Sequence, residues 1–493
     1  MRGPMPPIAI SKTRVMSFLQ CPKRLWLDQY SPELEDESAY DLAAIETGRV
    51  VGETARQVYG QGGGHLIDHD RGLRSAVAET ASLLEAGGNE PIFEATFDFE
   101  GLTVQVDVLD RSGAAPRIIE VKSSTRVKDH FLADCAIQSW TLSRIGVEPE
   151  STRLALIDSS FEYTGDRQYQ RLFHEVDLTP DLDHLLEAMP ATVEATRATL
   201  ESLDEPEREI GTHCRTPYPC PFFEHCAPPQ GDYPITGLGG RKDALYALML
   251  DGFRDVRDLS EDQLADASQQ RIWQQTVAGE PYIGPELGPL IGSLAYPRYF
   301  LDFETIAFAI PIWAGTRPYQ ALPFQWSCHI DTGNGEVTHE EFLDLSGNPP
   351  MREAAEQLLA KLGTEGPILV YTSYEKRVLR ELGERYPDLE PALAALIERL
   401  VDLHPLMKQY YYHPDMHGSW SIKAILPTIG AGIDYTSLDE VRDGEDAQTA
   451  YLEAIHADTC AERRATLRRE LLDYCGLDTR ALVKLVEFFG RGA

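Results

Sequence analysis

A chain of 493 residues, 43% hydrophobic and 25% charged, is too long for one hydrophobic core and has the composition of ordinary folded protein, which predicts two domains or three. No uninterrupted apolar run of about 18 residues occurs, and the opening MRGPMPPIAISKTR lacks the apolar stretch of a secretory signal, so a cytoplasmic protein without membrane-crossing helices is expected. The formal net charge of −34, from 79 acidic against 45 basic residues, weighs against a polyanionic partner unless basic groups are gathered locally.

Residues 11–30, SKTRVMSFLQCPKRLWLDQY, carry Val15, Phe18, Leu19 and Leu25 on one face behind a Ser11 cap and predict a helix. A second helix is expected over 38–59, before the glycine turn GQGGG. IFEATFDF and LTVQVDVLD then alternate apolar and polar residues on either side of Glu100-Gly101, a hairpin signal, and RIIEVKSS reads as a third strand. A helix over 129–145 stops at Gly146, TRLALIDSSFEY is a further strand, and a long helix covers 180–203. The segment 211–229, GTHCRTPYPCPFFEHCAPP, is too rich in proline and cysteine for a regular element. Short amphipathic stretches over 231–296 predict a helical connector.

The pattern then restarts with strands RYFLDFET, PFQWSCHI and EEFLDL, a helix over 351–362, strand PILVY and helix SYEKRVLRELGERY. The last helix is ELLDYCGLDTRALVKLVEFFG. Strands before helices, twice over, predict a mixed α/β (α+β) chain with domains at 1–230 and 297–493 joined by the connector 231–296.

The first cluster of chemical interest is Asp107 on one strand with Glu120-Val121-Lys122 on the next. Residues i and i+2 of a strand share a face, so Glu120 and Lys122 project together. Asp107 and Glu120 form an oxygen site for Mg²⁺ or Mn²⁺, which activates water and neutralises phosphate charge. Lys122 is placed to orient that water or to stabilise charge on phosphorus. Asp134 and Gln138, at i,i+4 on the following helix, share a face, from which Gln138 can hold the substrate or the lysine.

Over residues 8–230 these motifs, in this order, resemble the PD-(D/E)xK nuclease superfamily, in particular RecB-like exonucleases and their CRISPR-associated relatives. SKTRVMSFLQCPKRLWL is similar to their opening motif, and VQVDVLD, IIEVKSS and DCAIQSW to the acid, E-x-K and glutamine motifs. The resemblance implies a restriction-endonuclease-like fold with Asp107, Glu120, Lys122 and Gln138 as catalytic residues. RecB-like enzymes often add a metal-binding histidine on the early helix; TGRVVGETARQ has none, and Glu53, with Glu46 behind it, is the replacement candidate.

Of eight cysteines, Cys214, Cys220 and Cys226 are spaced C-x5-C-x5-C, and Cys21 is the candidate fourth ligand. A [4Fe–4S] cluster takes four thiolates; zinc is the alternative, although its ribbons and fingers use closer pairs. The same exonucleases place one cysteine ahead of their nuclease motifs and three behind, which implies a staple joining first helix to last segment. Cys135, Cys328, Cys460 and Cys475 are expected as core thiols.

A second acidic set lies in the last two hundred residues. Strand RYFLDFET presents Asp302 and Glu304 on one face, helix SYEKRVL carries Glu375 in its first turn, and YCGLD sets Tyr474 and Asp478 at i,i+4. Four such carboxylates can hold two metal ions about 4 Å apart, the geometry of in-line phosphodiester cleavage. This order resembles the DEDD exonucleases of the ribonuclease H-like fold, in the subgroup with a Y-x3-D third motif. Glu375 stands where that family has aspartate, Asp402 offers a nearby acid, and HGSWSIKAILP with Lys423 is similar to the segment between motifs. The two halves together resemble a bacterial family of predicted RecB-like nucleases.

The expectation is a metal-dependent DNA exonuclease of repair, recombination or defence, with RNA as the other possible substrate. An inert nucleic-acid-binding scaffold is the competing reading. No GxxxxGK[ST] loop occurs, so a helicase or defence-system motor would be a separate partner chain.

Overall fold

The computed structural model describes residues 9–61, 63–435 and 438–490. The protein is mixed α/β and falls into two compact units, residues 1–228 with 308–319, and residues 229–307 with 320–493. No helix among the described residues is long and apolar enough to cross a membrane.

The first unit begins with a short strand β1 (Ile10–Ser11) and helix α1 (Lys12–Gln20), whose first turn Ser11 caps by accepting from the Arg14 N–H at 3.3 Å. The helix expected over 11–30 is broken in two. Pro22 disfavours a helical conformation at the residue before it, so Cys21 is extended (φ −164°, ψ 120°) and α2 (Pro22–Tyr30) restarts behind it. The break turns the Cys21 backbone out of the helix and exposes its flank to the cysteine segment. Gln20 Nε2 donates to the carbonyls of His213 and Tyr218, both at 2.8 Å, and Tyr30 Oη donates to Leu200 O at 2.6 Å.

Helix α3 (Leu42–Gly60) leads to β2 (His65–Leu66), α4 (Leu73–Glu85), and the hairpin β3 (Ile92–Phe99) and β4 (Leu102–Asp110). Glu100 and Gly101 both have positive φ, 52° and 82°, the pair that a tight two-residue hairpin requires. Then follow β5 (Arg117–Lys122), α5 (Asp129–Arg144), β6 (Ser151–Ile157), β7 (Phe173–Asp177), α6 (Asp183–Glu201) and the one-turn α7 (Phe223–Cys226). The sheet order is β2-β3-β4-β5-β6-β7, with β1 beside β4. Helix α5 packs on it through Phe131, Cys135 and Leu142, and each such large apolar side chain withdrawn from water contributes about 1.5–3 kcal/mol.

The second unit opens with α8 (Lys242–Leu250), α9 (Ala267–Ala278), β8 (Tyr282–Ile283) and α10 (Leu287–Gly292), the region expected as a connector. Its five-stranded sheet has β9 (Arg298–Ile306) at the centre, antiparallel to β10 (Leu322–Asp331), which pairs with β11 (Val337–Leu343). On the other side β12 (Ile368–Val370) and β13 (Leu400–Asp402) run parallel, giving the order β11-β10-β9-β12-β13. The helices are α11 (Met351–Lys361), α12 (Tyr374–Arg385), α13 (Glu390–Ile397), α14 (Leu403–Tyr410), α15 (Ile422–Ile425), α16 (Gly444–Ile455) and α17 (Ala461–Gly490). Strand β14 (Tyr411–Tyr412) pairs with β8. Helix α17 lies along β9 and β10, and Gln325 Nε2 fastens it by donating to Leu471 O at 2.7 Å.

Candidate active sites and the cysteine cluster

In the first unit, the edges of β4 and β5 and one face of α5 bring Asp107, Glu120, Lys122, Asp134 and Gln138 together. Asp107 Oδ2 accepts from the Val121 N–H at 2.7 Å. Lys122 Nζ donates to Glu120 Oε1 and to Asp134 Oδ2, each at 2.6 Å, and Gln138 Nε2 donates to Glu120 Oε2 at 2.6 Å and to Asp134 Oδ1 at 3.3 Å. A second ammonium, unforeseen in the sequence, joins them. Lys12 Nζ, from the first turn of α1, lies 3.0 Å from Glu120 Oε1 and 2.8 Å from Asp134 Oδ1.

Burial, followed by the charges of Asp107 and Asp134, pushes the Glu120 carboxyl up to about 7. Burial also raises Asp107. At Asp134 burial acts in the same direction but is overcome by Lys12 and Lys122, which hold that carboxyl well below the usual range.

A fourth acid reaches this cluster from β3. The register Phe93↔Val108 and Ala95↔Val106 sets Glu94 opposite Asp107. Glu94 has φ +55°, a conformation rare outside glycine. Burial raises its carboxyl, and Arg56, 3.4 Å away, opposes that shift while Glu120 adds to it. Glu53, the expected fourth ligand, sits on the exposed face of α3, where it and Glu46 pair with Arg49. Among the described residues no hydrogen bond or ion pair ties Glu53 or Glu46 to Glu120. The oxygen donors of Glu94, Asp107, Glu120 and Asp134 are of the type a hard divalent cation takes, and the side-chain carbonyl Oε1 of Gln138 is buried without a partner among the described residues.

Cys21, Cys214, Cys220 and Cys226 line one pocket with Lys23, Arg24 and Arg208, and none is in a disulfide. The Cys220 N–H donates to Cys214 O at 2.9 Å, closing the loop that presents both thiols. Burial raises the Cys214 and Cys220 thiols and pushes Cys226 up to about 11. Four converging thiols are a donor set that fits an iron–sulfur cluster or a thiophilic metal, and binding either would require deprotonation.

In the second unit, Asp302 and Glu304 project from β9 toward Glu375 at the start of α12 and toward Tyr474 and Asp478 on α17. Asp302, Glu304 and Cys475 each offer a ligand atom, and these atoms lie within 4.8 Å of one another. Cys475 Sγ is 3.8 Å from Asp302 Oδ2, so this thiol, expected only as core packing, borders the acids. Tyr435 Oη donates to Asp478 Oδ1 at 2.5 Å, and Tyr474 is a second hydroxyl partner of the same carboxylate. Asp402 ends β13, caps α14 by accepting from the His404 N–H at 3.0 Å, and acts on Glu375 through its charge.

Burial and the neighbouring carboxylates, Asp478 foremost, push Asp302 and Glu304 well above the usual range. Burial, then Asp402, raises Glu375 to about 7. Lys423 opposes these shifts at Glu304 and Asp478, while its ammonium donates to Arg442 O at 2.6 Å and lies over the rings of Tyr435 and Tyr474. Glu375 Oε2 is buried without a hydrogen-bond partner among the described residues. Crowded carboxylates with an orphaned oxygen fit a divalent cation.

Residues 299–421 match a family described as "Domain of unknown function (DUF2779)". That stretch holds Asp302, Glu304, Glu375 and Asp402 and stops before Tyr474 and Asp478. No curated protein matches the chain. Among solved structures, one titled "Crystal structure of SSO0001" is similar at 17% identity over 44% of this chain and 85% of that chain, with a TM-score of 0.24.

Proposed function

We propose that the protein is a metal-dependent nuclease, preferentially of DNA, with two hydrolytic sites. The first unit is read as a PD-(D/E)xK domain stapled by a [4Fe–4S] cluster, the second as a ribonuclease H-like domain of the DEDD type. The observation that carries the reading is the convergence of Asp302, Glu304, Glu375 and Asp478, with Tyr474 beside them, in one buried cluster. Acids drawn from a strand and two helices into mutual repulsion are costly to fold and are accounted for by a cation that they bind together.

In the second site Asp302, Glu304, Glu375 and Asp478 would hold Mg²⁺ or Mn²⁺, which supplies Lewis acidity and a more acidic bound water. Tyr474 and Tyr435 fix the orientation of Asp478, and the Tyr474 hydroxyl is positioned to align a water for in-line attack on phosphorus. In the first site Glu120, Asp107 and Glu94 would hold the cation. Lys122 donates to Glu120 and Asp134, which keeps its ammonium charged and at hand for negative charge developing on phosphate oxygen. Gln138 holds Glu120 from the opposite side.

One observation favours a second reading for the first unit. Lys12 and Lys122 already neutralise Glu120 and Asp134, so this unit can grip nucleic acid without cutting it. The test is hydrolysis of labelled single- and double-stranded DNA, and then RNA, by anaerobically purified protein. Cleavage is expected with Mn²⁺, its loss with a chelator and its return on adding Mn²⁺ back; no cleavage of either nucleic acid with any divalent metal would overturn the nuclease reading. Cys21→Ala is expected to remove the visible iron–thiolate absorbance and to open the first unit locally, and an unchanged spectrum would remove the staple from the account.

A further inference from the structure

We infer that a cleft on the outer side of α17 binds the phosphodiester backbone of a nucleic-acid strand, an inference that rests on the nuclease reading of the neighbouring acids. The cleft has a volume of about 720 Å³ and lies between α17, β10 and β11. Arg468, Arg469 and Arg480 line it together with His329 and His339. Positions 468, 472, 476 and 480 recur every four residues, so they form one stripe along the helix. Gly476 is the floor of that stripe, where a β-carbon would come within 3.4 Å of the His339 ring.

The charge here runs against the rest of the chain. With 34 more acidic than basic residues, most exposed arginines can find a carboxylate, as Arg463 does with Glu440 and Glu453, and Arg352 with Asp388. Arg480 has no carboxylate partner among the described residues, and Arg469 has only Glu470 at 3.8 Å. Two acids, Glu341 and Asp473, line the same cleft, and Glu341 is turned to His339 at 3.9 Å. With Glu470 beside Arg469, three guanidiniums face three carboxylates, and Arg480 is left without one among the described residues. His329 registers that charge, since burial first, and then His339 and Arg480, depress its imidazole to about 4. The two imidazoles stack at 4.3 Å and are pinned from behind, His329 Nδ1 to Thr479 Oγ1 at 2.9 Å and His339 Nε2 to Ser327 Oγ at 2.8 Å.

Three elements join the cleft to the acid cluster, although none of the clustered acids lines the cleft. Thr479, which holds His329, follows Asp478 in α17. Ser327, which holds His339, is the register partner of Asp302. Leu438 lines the cleft, and Tyr435, three positions before it in the sequence, donates to Asp478. Tyr474 and Asp478 fall on the opposite face of α17 from the stripe at 468, 472, 476 and 480, so a strand laid across the arginines runs along the far side of the helix from the carboxylates. Guanidiniums suit such a strand because their planar donors pair with phosphate oxygens in bidentate fashion.

The test is fluorescence anisotropy of a labelled oligothymidylate with full-length protein in EDTA, where no metal-dependent hydrolysis proceeds. The wild type is expected to bind with a marked salt dependence. Arg469→Glu/Arg480→Glu should weaken binding tenfold or more and make the slope of log K against log salt shallower by about 1.4, at about 0.7 per phosphate contact on a single strand. Arg469→Lys/Arg480→Lys, which keeps the charge, should retain most of the affinity, and thermal unfolding of both variants should match wild type. Equal affinity and slope in the charge-reversed protein, while the wild type still cleaves with Mn²⁺, would overturn the cleft and leave the nuclease reading standing. Displacement of the strand by an equal phosphate concentration of thymidine monophosphate would assign the cleft to free mononucleotide and overturn it for strands. A wild type that neither binds nor cleaves would overturn both.

Discussion

In the first unit Glu120 and Asp134 share two ammonium groups, Lys12 and Lys122, at 2.6–3.0 Å. In the second unit Asp302, Glu304, Glu375 and Asp478 face one another, Lys423 opposes the shift at Glu304 and, with Tyr435 and Tyr474, at Asp478, and that ammonium is engaged with the Arg442 carbonyl. The same chemical problem, several carboxylates out of water, is met by resident cations in one place and by retained protons in the other. The resident ammonium groups hold Asp134 ionised, whereas Glu120, like Glu375, is raised to about 7. The second cluster can ionise fully only when a counter-ion arrives, the part the proposed metal would take.

The largest expected effect separates the sites by activity. Asp302→Asn should lower hydrolysis at the second site about a thousandfold or more, because metal polarisation of phosphoryl oxygen supplies several kcal/mol in the transition state. A steady-state assay that isolates the second site's products, run with the variant, checks this. The same substitution should raise the melting temperature of metal-free protein, since it removes an acid whose ionisation burial and its neighbours oppose.

Lys12→Ala is the converse experiment. It leaves Glu120 and Asp134 one cation short, and breaking a buried pair from one side costs about 3 kcal/mol or more. Urea unfolding should register that loss, and Mn²⁺ should recover more stability in the variant than in wild type. If Mn²⁺ adds nothing extra, the ammonium and the metal do not share the same carboxylates.

A pH series sharpens the comparison further. Glu375 and Glu120 are both raised to about 7 from an ordinary value of 4.5, so the folded protein binds more protons than the unfolded chain between those values. Stability of the metal-free protein should therefore fall as pH rises from about 4.5 to 7, with no further change from these groups above it. Added Mn²⁺ should flatten that decline, because its ligands must give up their protons to bind it. Calorimetric melting at pH 5, 6, 7 and 8 with and without Mn²⁺ is the measurement, and a metal-free stability that climbs through this window would contradict the assigned directions.

The smallest effects come from the acids around the first site. Glu94→Gln should reduce Mn²⁺ affinity about 10–100-fold, as loss of a supporting group at a metal site does. Glu53→Gln, on the exposed α3 surface, should stay within about 0.5 kcal/mol of wild-type stability and leave Mn²⁺ affinity unchanged. Isothermal titration of both variants orders them, and the reverse order would restore Glu53 as the ligand.

Much of this arrangement was legible in the sequence. Strand alternation pairs Glu120 with Lys122 and Asp302 with Glu304, the i,i+4 rule pairs Asp134 with Gln138 and Tyr474 with Asp478, and the resemblance to known nuclease motifs is what implied that each set converges. Glu94 was legible too: a two-residue turn at Glu100-Gly101 pairs residue 99 with 102, and counting back pairs 94 with 107. Lys12 was not, because its place depends on how α1 docks against α5, a tertiary contact with no local signal. The broken helix at Cys21 could have been read from Pro22, which the apolar periodicity on either side concealed. No periodicity around Tyr435 announces its bond to Asp478. Helices α4 and α16 have short apolar faces, and the sheets they cover define them.

The most direct test of two independent sites is cleavage of 5′- and 3′-labelled DNA with Mn²⁺ by wild type, Lys122→Ala and Asp478→Ala. The account predicts that each variant loses a different set of products while keeping the other. Identical loss in both variants, or a product pattern untouched by either, would contradict it.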